Sequence, residues 1–324
     1  MTRRTFILYL VAATAGMPIT AIGQARRIPV VGFLRHTSQR ESQFLVDALE
    51  KGLREAGFLE KQKVAFEYQF ADGRYERLPS LAKELVGRKV DVLVAGGVAA
   101  SQAAKSASAT IPIVFVIGED PVRMKLVQSL GRPERNVTGV SFGGLHHKRL
   151  ELFHLLAPRI KAVAYLLDPN DPVGPAQLKD VQDAARALGI SIIVFEAGSE
   201  PEIQTAFDTL AKQGLRALHV GGSGLFLGKR DRIVSLATQH SILTTFSNPE
   251  GAEAGALMSY GASTIDAYRQ AGLYVGRILK GAKPAELPVL QASKPELIIN
   301  LKTAKTFRID IPQSVLQRTD RVIE

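Results

Sequence analysis

The chain has 324 residues with a formal charge of +10, 46% apolar residues, and neither cysteine nor tryptophan. This composition excludes disorder and collagen-like order, and it removes disulfides, thiolate metal sites, cysteine nucleophiles and a lipid-modified N-terminal cysteine. At about 150 residues per domain, the length predicts two domains.

Residues 1–25 read as an export signal: Arg3 and Arg4 precede an apolar stretch from Phe6 to Met17, and Pro18 with small residues up to Gly23 follows. The start, Thr2 to Ile7, also fits a twin-arginine signal, with Leu8 where lysine is common. Cleavage is expected after Gly23, or else after Ala25, leaving a periplasmic protein without a lipid anchor. The stretch is short for a bilayer span, and no other segment approaches twenty continuous apolar residues. Basic residues are scattered among acidic ones, as in Glu50, Lys51, Arg54 and Glu55, so no nucleic-acid partner is expected.

From Ile28 onward, short apolar runs alternate with amphipathic segments. Residues 30–34 predict a buried strand, and residues 43–56 place Phe44, Leu45, Ala48, Leu49, Leu53 and Ala56 on one helical face that Gly57 ends. Val64, Phe66, Tyr68 and Phe70 alternate with Ala65, Glu67 and Gln69, a period of two that predicts a strand. A helix through Leu78 and Leu85, a strand over 90–95, an alanine-rich helix to Ala109, a strand over 113–117, a short helix to Leu130 and a strand over 137–141 follow. After a helix over 148–156 the series restarts, with strands over 163–167, 191–195, 217–220 and 243–246 and helices over 177–188, 202–213 and 231–240. Local details repeat too: residues 91–97 (DVLVAGG) correspond to 216–222 (RALHVGG). The expected fold is α/β, two similar doubly wound parallel-sheet domains joined by multiple crossovers. A strand over 257–260, a long helix over 266–279 and a last strand over 297–300 could complete either sheet. The expected lobes are residues 26–143 plus 252–284, and 144–251 plus 285–324.

Open parallel sheets bind ligands beyond the carboxyl ends of their strands, where helix N-termini direct NH groups at the site. The strand-end candidates are His36, Thr37, Gly96, Gly97, Val98, Asp120, Ser141 and Phe142 in the first half, with Glu119 beside Asp120. In the second half they are Asp168, Asn170, Ser223, Phe246 and Tyr260. Hydroxyls and NH groups suit a carboxylate, acidic side chains an ammonium, and rings an apolar body, which is an amino-acid-like inventory. Plainer roles compete: Asp120 before Pro121 fits a helix cap, the glycines fit tight turns, and Phe142 and Phe246 fit a core.

Sharper motifs fail. The run from Gly221 to Lys229 has Ser223 where a phosphate loop needs glycine and Arg230 where it needs Ser or Thr. His146, His147 and His154 lack carboxylates at ligand spacing and read as helix surface, so neither metal nor cofactor is expected. Gly139, Ser141 and Gly143 do match the spacing of a nucleophile elbow, which keeps a secreted serine hydrolase using Ser141 as the alternative.

Several segments resemble the substrate-binding proteins of ABC transporters with the type I periplasmic binding protein fold, in the group that takes up tryptophan and tyrosine. They are residues 66–79 (FEYQFADGRYERLP), 257–261 (LMSYG), 274–284 (YVGRILKGAKP) and, most specifically, 296–306 (ELIINLKTAKT) with 309–312. The resemblance implies an extracytoplasmic monomer without catalysis, whose two lobes close on a small solute and deliver it to a membrane permease with its cytoplasmic ATPase. It also implies that Thr37, Gly97, Asp120, Ser141, Asp168 and Tyr260 line the cleft. Gly96, Gly97 and Val98 depart from a pattern in which Thr and Pro are common, and residues 221–224 replace a segment that usually holds Asp and Pro.

Overall fold

The structure is a computed structural model that describes residues 27–58, 64–133, 135–291 and 294–324. The export signal expected over 1–25 lies outside the described residues.

The described residues open with β1 (Val30–Arg35), α1 (Gln39–Glu55), β2 (Ala65–Phe70), α2 (Leu78–Gly87), β3 (Val92–Gly96), α3 (Val98–Ala107), β4 (Ile113–Ile117) and β5 (Val137–Ser141). The inner strands β3 and β4 are buried throughout, as strands covered by helices on both faces must be, whereas the edge strand β2 is only half-buried along its length. At the start of α1, Ser38 accepts from the Glu41 N–H and the Glu41 carboxylate accepts from the Ser38 N–H at 3.0 Å, a reciprocal cap.

The second series is α4 (His146–Leu156), β6 (Ala162–Leu167), α5 (Gly174–Leu188), β7 (Ser191–Glu196), α6 (Glu200–Lys212), β8 (Ala217–Val220), α7 (Gly224–Gly228), α8 (Arg230–Gln239), β9 (Leu243–Phe246), α9 (Pro249–Glu253) and β10 (Met258–Gly261). The chain then returns to the first sheet through α10 (Thr264–Leu279) and β11 (Leu290–Gln291). It ends on the second through β12 (Glu296–Asn300), α11 (Leu301–Thr306), α12 (Gln313–Leu316) and β13 (Arg321–Ile323).

The sheet orders are β2-β1-β3-β4-β5-β11 and β7-β6-β8-β9-β10-β12-β13. Both wind identically through their first five strands, so the expected pair of similar doubly wound lobes is the fold observed. The pairing is parallel apart from β10 with β12.

The expected lobe boundaries shift. β10 adds in parallel beside β9, with Met258 opposite Thr245, because the short α9 crossover returns the chain to the same sheet; residues 252–261 therefore belong to the second lobe. α10 packs along α1 and β11 pairs with β5, which places residues 264–291 in the first lobe. The short helix expected before Leu130 is a series of turns, interrupted where Lys125 adopts a φ of 56°.

α1 and α10 touch backbone to backbone. A Cβ added to Gly272 would stand 2.1 Å from the Leu49 carbonyl oxygen, and one on Gly52 would stand 1.9 Å from that of Arg269. Gly272→Val is expected to lower the stability of the protein by at least about 1–3 kcal/mol in urea unfolding, the usual cost of overpacking. Gly87→Ala, whose new methyl meets nothing within 4 Å, should change it little; equal effects of the two would contradict the contact.

Candidate ligand-binding cleft

The carboxyl ends of the two sheets face each other across a cavity partly open to solvent. The loops after β1 and β3, and after β6 and β8, enter it where the strand order reverses in each sheet.

Arg35, the last residue of β1, is only 5% exposed. Its Nε donates to Thr37 Oγ1 at 2.9 Å, an Nη donates to the Tyr268 hydroxyl, and the guanidinium carbon lies 5.6 Å from the centre of the Tyr268 ring. Thr37 Oγ1 in turn meets Ser42 Oγ at 2.7 Å, which ties this arrangement to the first turn of α1. These partners are neutral, and among the described residues no carboxylate forms an ion pair with Arg35. A cation so placed is costly until an anion meets it.

His36 stacks on Tyr75, with ring centres 4.6 Å apart and planes at 19°. Burial, reinforced by Arg35, pulls the His36 pKa down to about 3, so the ring is neutral at physiological pH. Its Nε2 is buried without a hydrogen-bond partner, as are Asn248 Oδ1 and Thr264 Oγ1 along the same cavity. Unmet polar atoms contributed by both lobes to one cavity call for a polar solute or bound water.

Acidic groups line the cavity as well. Glu119 Oε1 accepts from Gln177 Nε2 at 2.9 Å and lies 3.6 Å from His146 Nε2. Gln177 Oε1 accepts from the Gly222 N–H at 3.0 Å, which fixes the amide's orientation. Burial pushes the Asp171 carboxyl up to about 7; the neighbouring charges of Asp168 and Glu119 add to this, against a hydrogen bond from the Val173 N–H. Phe142, Tyr75, Val98, Val116 and Leu227 supply apolar wall.

Of the candidates read from the sequence, His36, Gly97, Val98, Glu119, Phe142 and Ser223 line the cavity. Thr37 and Gly96 stand behind Arg35: Thr37 holds the guanidinium, and a Cβ on Gly96 would come within 2.1 Å of the Tyr268 hydroxyl. Asp168 stands behind Ser223, accepting from its Oγ at 2.7 Å.

Five candidates fall elsewhere. Asp120 is exposed and caps its turn by accepting from the Val122 N–H at 2.8 Å. Asn170 is exposed on the loop after β6, Phe246 is 2% exposed inside the second lobe, and Tyr260 packs on that lobe's other core. Ser141 donates to the Glu119 carbonyl at 2.9 Å and, among the described residues, pairs with no histidine, so the hydrolase alternative has no support. His146, expected on a helix surface, is instead 4% exposed and lines the cavity, because it starts α4 at the crossing between lobes.

Arg35, Tyr75, Asp171, Gln177 and Tyr268 were not among the sequence candidates. Arg35 left one trace, a charge at the end of an apolar strand, whereas Tyr268 reaches the site from α10, more than 200 residues along the chain.

Two wound lobes thus enclose one polar and aromatic cavity between their strand ends. Residues 27–323 match the model of a family described as ABC transporter substrate binding protein, and the chain belongs to that family. It is 26% identical to a tyrosine-binding protein of Clostridioides difficile over 257 residues, which are 79% of this chain and 74% of that one. Among solved structures, a conserved domain protein from Vibrio cholerae has a TM-score of 0.80 at 26% identity, covering 91% of this chain and 100% of its own. An ABC domain from Streptococcus pneumonia in complex with L-Trp has a TM-score of 0.79 at 26% identity, with the same coverage. Among the described residues no helix is long and apolar enough to cross a membrane.

The raised Asp171 carboxyl gives the cleft a pH signature. Below about pH 4 the folded and unfolded chains both hold its proton; between there and about 7 only the folded chain does, so stability falls as pH rises. Relative to Asp171→Asn, the wild type should lose roughly 1–3 kcal/mol between pH 4.5 and 7.5 in urea unfolding. Parallel curves would contradict the assignment.

Proposed function

We propose that the protein is the extracytoplasmic solute receptor of an ABC importer, that its solute is an α-amino acid with an aromatic side chain, and that it catalyses no reaction. The observation that carries this reading is the buried Arg35, which has only neutral partners in a cavity that also holds Glu119 and Asp171. A zwitterion supplies both missing charges: its carboxylate completes Arg35, and its ammonium faces the acidic residues. The ring then lies among Phe142, Tyr75 and Val98. The tyrosine and tryptophan named for two relatives are solutes of this kind.

Solute held by both lobes favours the closed arrangement through contacts that the open one lacks, and a closed lobe pair is what a permease and its cytoplasmic ATPase would receive. Export through the signal at residues 1–25 and a monomeric state belong to the same reading.

L-Tyrosine or L-tryptophan should raise the melting temperature of the purified protein, while tyrosinamide, which lacks the carboxylate, should not. Arg35→Met should weaken calorimetric binding by about 30-fold or more, the scale expected when one side of a buried charge pair is removed. Failure of both amino acids to bind, or full affinity in the Arg35 variant, would refute the reading. So would ester hydrolysis that disappears in Ser141→Ala.

A further inference from the structure

The lobes also meet outside the cavity. α7 starts at the cavity, which Ser223 and Gly224 line, and five residues later it ends beside Lys229 at the rim. Lys229 Nζ lies 2.6 Å from Glu200 of its own lobe and 3.2 Å from Glu41 of the other. Next to it, the Arg230 guanidinium carbon sits 4.7 Å from the centre of the Phe44 ring, which belongs to α1 of the first lobe. The backbones are close as well: a Cβ on Gly228 would stand 2.9 Å from Glu41 Cβ.

We propose that Glu41, Phe44, Lys229 and Arg230 form a rim clasp that holds the cleft shut and raises solute affinity without touching the solute. The chain path makes the coupling direct. In the first lobe, His36 at the cavity leads through the Ser38 cap to Glu41 in one turn of α1. In the second, Gly224 at the cavity leads through α7 to Lys229. A Cβ on Gly224 would come within 2.4 Å of the His36 ring, so the same two segments touch at both ends. Closing the cavity and forming the clasp are therefore one motion. The Lys229 and Glu41 side chains are 25% and 16% exposed, which leaves the pair only partly screened by salt.

The experiment separates the clasp from the identity of the solute. Glu41→Gln is the cleanest variant, because glutamine keeps the α1 cap and removes only the charge. With L-tyrosine as probe, Lys229→Met with Arg230→Ala should weaken binding about three- to tenfold, mostly through faster dissociation. Glu41→Gln should add little once Lys229 is gone. The chain has no cysteine, so Lys83→Cys and Lys212→Cys, exposed on opposite lobes, can carry spin labels for interlobe distances. The clasp variants should lengthen those distances in the ligand-free protein, and 0.5 M NaCl should do so for the wild type but not for the double variant. That shift upholds the clasp even if L-tyrosine fails to bind, a result that would count against the solute reading alone. Distances unchanged by every variant and by salt overturn the clasp, whatever the affinities.

Discussion

Arg35 ends a strand whose preceding residues are almost entirely buried and apolar, and its guanidinium rests on one threonine hydroxyl and one tyrosine hydroxyl. Neutral hydroxyls orient a cation but leave its charge unanswered, and taking such a charge out of water is expensive unless an anion shares the space. On the proposed reading, the carboxylate of the solute is that anion. That reading asks that the cavity admit an anion and that the lobes close on it.

Two features of the fold meet these requirements. The duplicated winding places a reversal of strand order in each sheet, and the loops flanking both reversals open onto one cavity. The passage of the chain after Gly261 then sends α10 back to the first lobe, where Tyr268 reaches Arg35 and the helix locks against α1. Glu250, buried just before this crossing, accepts from Ser263 Oγ at 3.2 Å and the Ile265 N–H at 3.1 Å, so the start of α10 is fixed by a residue of the second lobe. The arginine is thus positioned by the segment that also joins the lobes.

The architecture was legible because it rests on periodicity. Runs such as Ile113 to Ile117 announce covered strands, and the recurrence of DVLVAGG as RALHVGG exposes the duplication. What could not be read was the destination of the last strands and helix, since 258–261 and 264–279 carry no mark of which sheet they join. The site was half legible for a related reason. Strand-end position finds His36, Gly97, Val98, Phe142 and Ser223, yet a single residue's offset decides whether a side chain enters the cavity or turns away, as with Glu119 and Asp120. Arg35 was hidden by standing inside the strand rather than after it, and Tyr268 and Gln177 by lying on helices that only the tertiary fold brings to the strand ends.

A crystal structure of the protein grown with L-tyrosine tests the central claim most directly. The account expects the solute's carboxylate within hydrogen-bond distance of the Arg35 guanidinium, and its ammonium facing Glu119 or Asp171. A solute seated in the cleft with its carboxylate on other groups, and Arg35 still held only by Thr37 and Tyr268, would contradict it.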